Sequence, residues 1–477
     1  MARSCNRELA VNTGLFALSS FGSKLISFFL LPLYTALLST EDYGTVDLVS
    51  STVSLLVPLL TLNIQDAVLR FGLGKDAEPE EILSVGLRVV AAGTCVLCAG
   101  VALLLTVGLS PFEGFYCAFL VIMFVLSSLS NVLTMYVKSR GHVRSLVVSG
   151  IGNTLVMSIS AILLLVVVKV GVLGYMASLI LGNLFAVGYL IVAGEAWRGV
   201  SAKARAGLIR SMVVLSAPLV ANSLAWWVND VSDRYVVTFI CGATANGIYA
   251  VAYKIPSILS TLQTIFYNAW AISAVKEFDP EDREGFLGQM YELYSGAMAV
   301  ACSGIIILDV PLAALLYSSD FFAAWQYVPL LLVGSYLNGL ALFEGCLFTA
   351  ARNTKAVSWT TIVGACSSIF TCVVLCLAIG PLGGAVATVV GYVVTWTART
   401  LTMTREVAQL KVSWRTEVAT LIVLLVQAIV ALQWGLQLAQ VPLLLAVVFL
   451  RRKQLGGMAG LVKAKVWKKA ANSDSSL

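Results

Sequence analysis

The sequence predicts an all-α polytopic membrane protein with 14 transmembrane helices, built as two parallel six-helix repeats followed by two C-terminal helices. Three observations predict this fold class. First, 59% of the 477 residues are hydrophobic and only 12% are charged, which is more apolar surface than a soluble domain can bury. Second, charged or turn-rich breaks divide the chain into apolar runs long enough to span a bilayer. Third, motifs of the first half return in the second half at a nearly constant offset.

Thirteen of the fourteen apolar runs reach the roughly 20 residues that a spanning helix needs, and the run at 436–450 is shorter. No small-residue cleavage site follows the first run, so we expect it to be a spanning helix and not a signal peptide that is removed. The runs lie at 10–38, 45–69, 84–107, 114–137, 145–168, 171–194, 211–240, 247–272, 286–308, 325–350, 356–379, 382–404, 415–434 and 436–450.

The distribution of basic residues predicts the orientation of the helices, because connections on the cytoplasmic side hold the excess of Lys and Arg. When a basic residue within five residues of the end of a run is counted with the adjacent connection, 27 of the 31 basic residues fall in the termini and the even-numbered connections, and Lys169 falls in an odd-numbered one. The remaining three, Lys24, Arg234 and Lys254, lie within helices. Both termini are therefore expected in the cytoplasm.

Motifs about 200 residues apart indicate an internal repeat. Gly44 and Gly247 are 203 residues apart, Arg140 and Arg352 are 212 apart, and GPLG at 380–383 follows GVLG at 171–174 by 209. Because six is an even number, both copies enter the bilayer in the same direction, and a substrate site is expected between them. The predicted division is an N-lobe at 1–194, a cytoplasmic linker at 195–210, a C-lobe at 211–405, two further helices at 406–450 and a basic cytoplasmic tail at 451–477.

Charged residues interrupt the apolar hairpin from Asn229 to Pro256, and a weaker copy of this pattern surrounds Lys24. An ionisable side chain near the bilayer centre costs about 2.5 to 3.5 kcal/mol on insertion scales, so it normally faces a cavity or a partner. Lys24 lies about 14 residues from either end of its run, roughly 20 Å along a helix. That depth predicts either a wet cavity or a structural ion pair with a neighbouring helix.

The hairpin itself contributes two further cations, and each has an alternative, purely structural role. Arg234 follows Asp230 by four residues, so the two could form an ion pair along one helix face. Lys254 could extend its stem to the outer interface, although Pro256 beside it favours a kinked helix and a moving gate. Together with Lys24, these cations are the predicted substrate-binding residues.

The acids inside the predicted helices are candidates for coupling or for pairing with these cations. Asp233 and Glu344 are the acids best placed to bind a coupling cation or proton, and Asp230 is the third charge partner. Hydrogen bonding between helices is the alternative role for Asp233 and Glu344.

The sequence shows no motif that would support catalysis, nucleotide hydrolysis or metal binding. The single histidine, His142, sits among basic residues in a predicted connection, and no phosphate-binding GxxxxGK[ST] motif is present. Cys95 and Cys98 have the spacing of a metal or redox pair but lie in an apolar run, which favours packing. We therefore predict no catalytic residue, no metal and no cofactor.

Two features indicate lipid as the partner. Three intramembrane cations favour an anionic substrate, and lipid phosphates are the anions that routinely enter bilayers. The tail from Arg451 carries seven basic residues and one acid, with Met458, Leu461, Val462 and Trp467 among its lysines. This pattern is typical of an interfacial segment on anionic lipid, or equally of a topology signal, and we expect no nucleic acid partner.

Several motifs carry a family resemblance. Ser23-Lys24, then LSTEDYGTVDL at 38–48, DRYVVTF at 233–239, GATANGIYAVAYKIP at 242–256 and NAW at 268–270 resemble the polysaccharide-export branch, the Wzx-like oligosaccharide flippases, of the multidrug/oligosaccharidyl-lipid/polysaccharide (MOP) flippase superfamily. The likeness covers nearly the whole chain and depends on the order and spacing of short motifs. After Trp270 this chain continues Ala-Ile-Ser, where similar proteins have a proline.

The resemblance implies MATE-like lobes and a flippase that moves an undecaprenyl-pyrophosphate-linked oligosaccharide across the bacterial inner membrane by alternating access. It implies that Lys24, Arg234 and Lys254 hold the pyrophosphate, and it makes a glycan polymerase a candidate partner. A MATE-type drug or cation antiporter is one alternative, for which an acid-rich cavity is expected. A flippase for a lipid II-type peptidoglycan precursor is the other and differs only in head group.

Overall fold

The computed structural model describes residues 22–74, 77–109, 112–200, 204–276, 278–283, 285–351, 353–407, 410–433 and 437–454, and these are largely helical. The helices, in chain order, are α1 (Gly22–Leu37), α2 (Thr40–Leu60), α3 (Ile64–Gly72), α4 (Pro79–Val107), α5 (Gly114–Ser139), α6 (Val143–Ile162), α7 (Gly171–Ala193), α8 (Trp197–Val200), α9 (Ala206–Cys241), α10 (Ala243–Ala252), α11 (Pro256–Lys276), α12 (Phe286–Ile307), α13 (Asp309–Leu316), α14 (Val328–Ala350), α15 (Thr354–Ile379), α16 (Leu382–Glu406), α17 (Trp414–Ala431) and α18 (Gln440–Leu450). A π-helical turn, Leu163–Val167, extends α6.

Each predicted apolar run overlaps at least one of these helices, which confirms the all-α membrane class. Within the described ranges, ten helices are long and apolar enough to cross a membrane, while α1 and α18 are shorter apolar helices. The count of fourteen spans stays a prediction. Residues 10–21 of the first predicted run and the predicted interfacial segment of the tail lie outside the described residues.

The second predicted run, 45–69, forms two helices. Between α2 and α3, Leu62 and Asn63 adopt left-handed backbone angles, with φ of 52° and 51°. A left-handed residue cannot continue a right-handed helix, so the chain turns at this point. The Asn63 side chain is 1% exposed, and its Nδ2 donates a 2.7 Å hydrogen bond to Oγ of Ser223 on α9. The turn therefore anchors the start of α3 to α9.

The hairpin after α9 contains the break that Pro256 predicts. Helix α10 ends at Ala252 and α11 begins at Pro256, with Tyr253 and Lys254 in the turn between them. Proline suits the first position of a helix because its missing N–H has no intrahelical partner there. The predicted cation Lys254 therefore sits at a discontinuity between two helices.

By packing, the chain divides into two compact units. The first comprises the described residues up to Ser232 together with Leu316–Asp320. The second comprises Asp233–Leu315 and the described residues from Phe321 onward. The lobe boundaries predicted from the repeat, with a linker at 195–210, stay a prediction.

The first unit is held together by two apolar clusters. One joins α3, α4 and α5 through fully buried side chains such as Val68, Leu83 and Val137. The other joins α2, α5 and α7 and includes Val49 and Phe124. Because both clusters use α5, this helix fixes the positions of the others in the unit.

The second unit is built around α14, the most deeply buried of the spanning candidates in the described chain. It packs against α11, α12, α16 and α17. Helices α15 and α16 pack closely because Gly383, in the repeated GPLG motif, leaves no room for a side chain. A Cβ atom there would lie 2.3 Å from the backbone carbonyl carbon of Leu375. The motif that revealed the repeat is thus a site of close helix contact.

The C-terminal pair α17 and α18 is joined by an ion pair. Nη1 of Arg451 lies 2.6 Å from Oε1 of Glu417, and the two side chains are at most 1% exposed. Oγ1 of Thr420 accepts a hydrogen bond from Arg451, and Ser295 on α12 donates one to Glu417. Arg451, which the charge pattern assigns to the basic cytoplasmic tail, is therefore buried, and its partner Glu417 links the pair to α12.

Candidate functional site

A buried carboxylate in the second unit is surrounded by hydroxyl groups. Asp233, on α9, is 6% exposed. Its Oδ2 accepts hydrogen bonds from the hydroxyls of Tyr249 (2.8 Å), Tyr253 and Thr388 (3.4 Å). Its Oδ1 accepts a 2.9 Å hydrogen bond from the backbone N–H of Arg234. The arrangement holds one acid among oxygen atoms that can either donate or accept hydrogen bonds.

Three separate elements build this cluster, which we term the Asp233 cluster (Asp233, Tyr249, Tyr253 and Thr388). Tyr249 and Tyr253 are four residues apart, a spacing that places two side chains on one helix face. Thr388 comes from α16, far away in sequence. The sequence predicts the acid from its position inside an apolar run. It does not predict the three hydroxyl residues, although the spacing of the two tyrosines in GIYAVAY indicates that they share a helix face.

The predicted cations of the hairpin flank Tyr253. The guanidinium carbon of Arg234 lies 5.0 Å from the centroid of the Tyr253 ring, within the range of a cation–π interaction. Lys254 follows Tyr253 in the turn, and its side chain is exposed. The second unit therefore places two of the three predicted substrate-binding cations beside the Asp233 cluster.

Two further predicted site residues, Lys24 and Asp230, belong to the first unit. Lys24 lies on α1 with an exposed side chain, and Asp230 is exposed on α9. The ion pair between Asp230 and Arg234, and the roles of Lys24, Arg234 and Lys254 in substrate binding, stay predictions.

Glu344 lies in a different environment from Asp233. It is fully buried on α14, and its Oε1 accepts a 2.7 Å hydrogen bond from Oγ1 of Thr400. Its Oε2 has no hydrogen-bond partner among the described residues. Arg399, 4% exposed on α16, is close enough to interact electrostatically with it and donates hydrogen bonds to Thr361 and to the carbonyl of Ala341. These buried polar contacts fit the helix-packing alternative for Glu344 as well as the coupling role.

Arg399 itself corrects the charge count. The predicted pattern assigns it to the basic cytoplasmic side because it lies five residues from the end of its run. The structure buries it inside α16, where it touches side chains of α15 and a backbone carbonyl of α14. The predicted helices therefore contain more cations than the three singled out from the sequence. Arg399 is held by hydrogen bonds to neighbouring helices.

A polar cavity of about 430 Å³ opens in the first unit, and nothing in the charge pattern indicated it. It lies between α2, α3, α5 and α9, and none of its twelve lining residues carries a formal charge. They are Ser50, Val53, Ser54, Val57, Pro58, Asn63, Gln65, Met123, Ser127, Asn131, Ser223 and Trp226. The spacing of its polar residues could have indicated it. Ser50 and Ser54 are four residues apart and share a face of α2, and Ser127 and Asn131 do the same on α5.

Two further cavities differ in chemistry from the first. One, of about 340 Å³, lies between α2, α4 and α5 and is lined mainly by apolar side chains such as Leu56, Leu60 and Leu104. The other, of about 590 Å³, lies where α12, α17 and α18 meet, and Arg452 and Lys453 contribute to its wall. Glu292 also lines this cavity, and contact of the C-terminal tail with anionic lipid stays a prediction.

Comparison with solved structures identifies the class of protein to which this fold belongs. A structure described as lipid II flippase MurJ in an inward closed conformation matches 92% of this chain and 98% of its own, with 13% identity and a TM-score of 0.67. An inward-facing multidrug resistance MATE family transporter of the MOP superfamily matches 80% of this chain and 95% of its own, with 11% identity and a TM-score of 0.61. An outward-facing structure of that transporter class matches 82% and 94%, with 11% identity and a TM-score of 0.55. The fold is thus that of membrane transporters and flippases.

The sequence then identifies the family. The family model described as polysaccharide biosynthesis protein matches residues 9–272, more than half of the chain. The protein belongs to the polysaccharide biosynthesis protein family and has the fold of the MOP flippase superfamily. Comparison with curated proteins finds no match.

Proposed function

We propose that this protein is a flippase that carries an undecaprenyl-pyrophosphate-linked oligosaccharide across the bacterial inner membrane for the synthesis of a surface polysaccharide. The observation that carries the proposal is membership of the polysaccharide biosynthesis protein family. The transporter fold supports it, because such folds move a substrate by alternating access.

The proposal assigns the pyrophosphate to the intramembrane cations. Arg234 presents a planar fork of donors that suits phosphate oxygens, whereas Lys24 and Lys254 act as point charges. The exposed side chains of Lys24 and Lys254 are accessible to a ligand. The polyprenyl chain stays in the surrounding lipid, where its apolar surface costs nothing to solvate.

The Asp233 cluster is the proposed coupling site. A carboxylate bordered by hydroxyl groups offers the oxygen donors that a hard cation prefers, and the same oxygen atoms can take up a proton. Asp230 and Glu344 complete the set of proposed charge partners. Binding of a cation or proton at Asp233 would change the charge beside Arg234, and this links the driving ion to the phosphate site.

Two alternatives keep the fold and change the substrate. A lipid II-type precursor shares the pyrophosphate and the polyprenyl chain, so it satisfies the same cations. A drug antiporter for cationic compounds fits less well, because none of the residues lining the polar cavity of the first unit is an acid. The family description favours the oligosaccharide over both.

Reconstitution into proteoliposomes tests the proposal. Vesicles would carry undecaprenyl pyrophosphate linked to a fluorescently labelled oligosaccharide, and a membrane-impermeant glycosidase would cleave the label from the outer leaflet. With the protein present we expect cleavage to proceed to completion, whereas empty vesicles stop when the outer leaflet is exhausted. Parallel vesicles with lipid II or with a cationic dye test the alternatives. Transport of the dye without movement of either lipid would contradict the proposal.

A further inference from the structure

We infer that the polar cavity of the first unit binds a neutral sugar ring of the transported head group. This inference rests on the proposed function and deepens it, because it assigns recognition of the glycan to a site separate from the cations proposed for the pyrophosphate. The cavity lies between α2, α3, α5 and α9, and none of its lining residues is charged.

The chemistry of the lining matches a neutral polyhydroxylated ligand. Four lining side chains carry hydroxyls and three carry amides, and both groups can donate and accept hydrogen bonds. Sugar hydroxyls have the same dual capacity, so each can be paired whichever way it points. A charged ligand would find no opposite charge in this lining. The cavity therefore selects for polarity without charge.

Part of the hydrogen-bonding capacity of the lining remains available to a ligand. Among the residues that the structure describes, no hydrogen bond engages the side chains of Gln65, Ser127 or Asn131. These residues come from α3 and α5, so their polar groups reach the cavity from two directions. In small-molecule sites a few polar groups placed in this way fix the orientation of the ligand.

Other polar contacts hold the walls of the cavity in place. Asn63 donates to Oγ of Ser223 at 2.7 Å and so ties the turn before α3 to α9. The indole N–H of Trp227 donates to the carbonyl of Ser51 at 3.0 Å and to Oγ of Ser54 at 3.1 Å, which ties α9 to α2. Hydrogen bonds between helices therefore hold the cavity walls in place before a ligand binds, so binding does not require the walls to become ordered.

Trp226 supplies the aromatic surface that a sugar ring needs. It lines the cavity beside the engaged Trp227, and 40% of its surface is exposed. A pyranose has apolar C–H faces between its equatorial hydroxyls, and a large flat indole covers such a face at low cost in conformational entropy. Val57, Pro58 and Met123 extend the apolar part of the wall.

Size and neighbourhood are consistent with this assignment. The volume of about 430 Å³ falls within the roughly 300–1,000 Å³ of small-molecule sites. The neighbouring cavity on α2, α4 and α5 is lined mainly by apolar side chains such as Leu56 and Leu60, so it does not offer a comparable site for a sugar.

Binding to protein in lipid nanodiscs tests the inference with two kinds of probe. The first is bare undecaprenyl pyrophosphate, and the second is the same lipid carrying glucose, galactose, N-acetylglucosamine or N-acetylgalactosamine. We expect at least one sugar-bearing lipid to bind about ten-fold more tightly than the bare lipid. Trp226→Ala and Asn131→Leu should remove this difference and leave the affinity for the bare lipid unchanged.

The controls separate the outcomes. Trp226→Phe retains an aromatic face and should keep most of the preference. Trp359→Ala, which removes a tryptophan that is 65% exposed on α15, should have no effect. Equal binding of bare and sugar-bearing lipids by the unsubstituted protein, or a preference that survives both Trp226→Ala and Asn131→Leu, would overturn the inference. Failure of every undecaprenyl pyrophosphate probe to bind would instead contradict the proposed function.

Discussion

The hydroxyl of Tyr249 donates a 2.8 Å hydrogen bond to Oδ2 of Asp233, and both side chains are buried. A buried carboxylate is costly unless hydrogen bonds or an opposite charge compensate it. Tyr249 supplies one such bond from a fixed position on α10, and Tyr253 adds another to the same oxygen. If Asp233 is the coupling site, as proposed, a proton or cation must compete with these hydroxyls, and this would couple its binding to the position of the hairpin.

Asp233→Asn should separate substrate binding from transport. The amide removes the negative charge but preserves the shape, so we expect the rate of lipid flipping to fall by about ten-fold or more, within the range of coupling energies between sites. Undecaprenyl pyrophosphate should still bind, because Lys24, Arg234 and Lys254 keep their charges. The proteoliposome assay measures the rate, and Glu281→Gln, at an exposed acid in a connection, is the control. An unchanged flipping rate in Asp233→Asn would remove this acid from coupling.

Lys24→Ala should abolish export of the lipid-linked glycan without lowering the amount of protein in the membrane. A charge-assisted hydrogen bond is worth about 1.5–3 kcal/mol, so loss of the ammonium group should weaken binding of undecaprenyl pyrophosphate by roughly ten-fold or more. Lys24→Arg should restore part of the binding. Lys138→Ala, at an exposed lysine near the end of α5, serves as the matched control. Normal export in Lys24→Ala would exclude Lys24 from the mechanism.

Arg451→Met should destabilise the second unit strongly. The substitution leaves the buried carboxylate of Glu417 without its partner, and breaking such a pair costs about 3–5 kcal/mol. Thermal unfolding of the purified protein measures the effect as a lower Tm. The double substitution Glu417→Gln with Arg451→Met should recover part of the loss, because no unpaired charge remains. Lys453→Met, at an exposed neighbour, should leave the Tm nearly unchanged.

Gly383→Ala should destabilise the contact between α15 and α16. The new Cβ would lie 2.3 Å from a backbone carbon of Leu375, so one helix must move. Overpacking of this kind costs about 1–3 kcal/mol, which thermal unfolding should detect. Gly100→Ala on α4 is the matched control, because nothing lies within 4 Å of the added atom. Equal Tm values for the two variants would show that α16 adjusts without cost.

The pH dependence of stability should reveal Asp309, at the start of α13 beyond the spanning helix α12. The side chain is 1% exposed, neither carboxylate oxygen has a hydrogen-bond partner among the described residues, and burial raises its pKa well above the usual value. The unfolded chain loses this proton near a pKa of about 3.9, whereas the folded protein retains it to higher pH. The free energy of unfolding should therefore decrease as the pH rises above about 4, and it should level off once the pH exceeds the pKa of Asp309 in the folded protein.

The comparison of Asp309→Asn with the unsubstituted protein measures this contribution. The amide cannot lose a proton, so its Tm should depend less on pH between about 5 and 8. Glu113→Gln, at an exposed acid before α5, should keep the profile of the unsubstituted protein. If Asp309→Asn keeps that profile as well, the carboxyl group does not contribute to it.

The sequence by itself determined the class of protein and most helix boundaries. Runs of apolar residues must form helices in a bilayer, because only internal hydrogen bonds satisfy the backbone there. For this reason the run predicted at 114–137 appears as α5, and the run at 382–404 as α16. Asp233 could also be singled out from the sequence alone, because a charged residue inside an apolar run is easy to recognise there.

The tertiary structure decided which polar groups meet. Thr388 joins the Asp233 cluster although 155 residues separate it from Asp233. Arg399 is buried against α14 and α15, and Arg451 pairs with Glu417, although the sequence pattern assigned both arginines to the cytoplasmic side. The polar cavity combines Asn131 with Trp226 from helices that are distant in sequence. These contacts depend on how helices pack, and hydropathy along one chain contains no information about packing between helices.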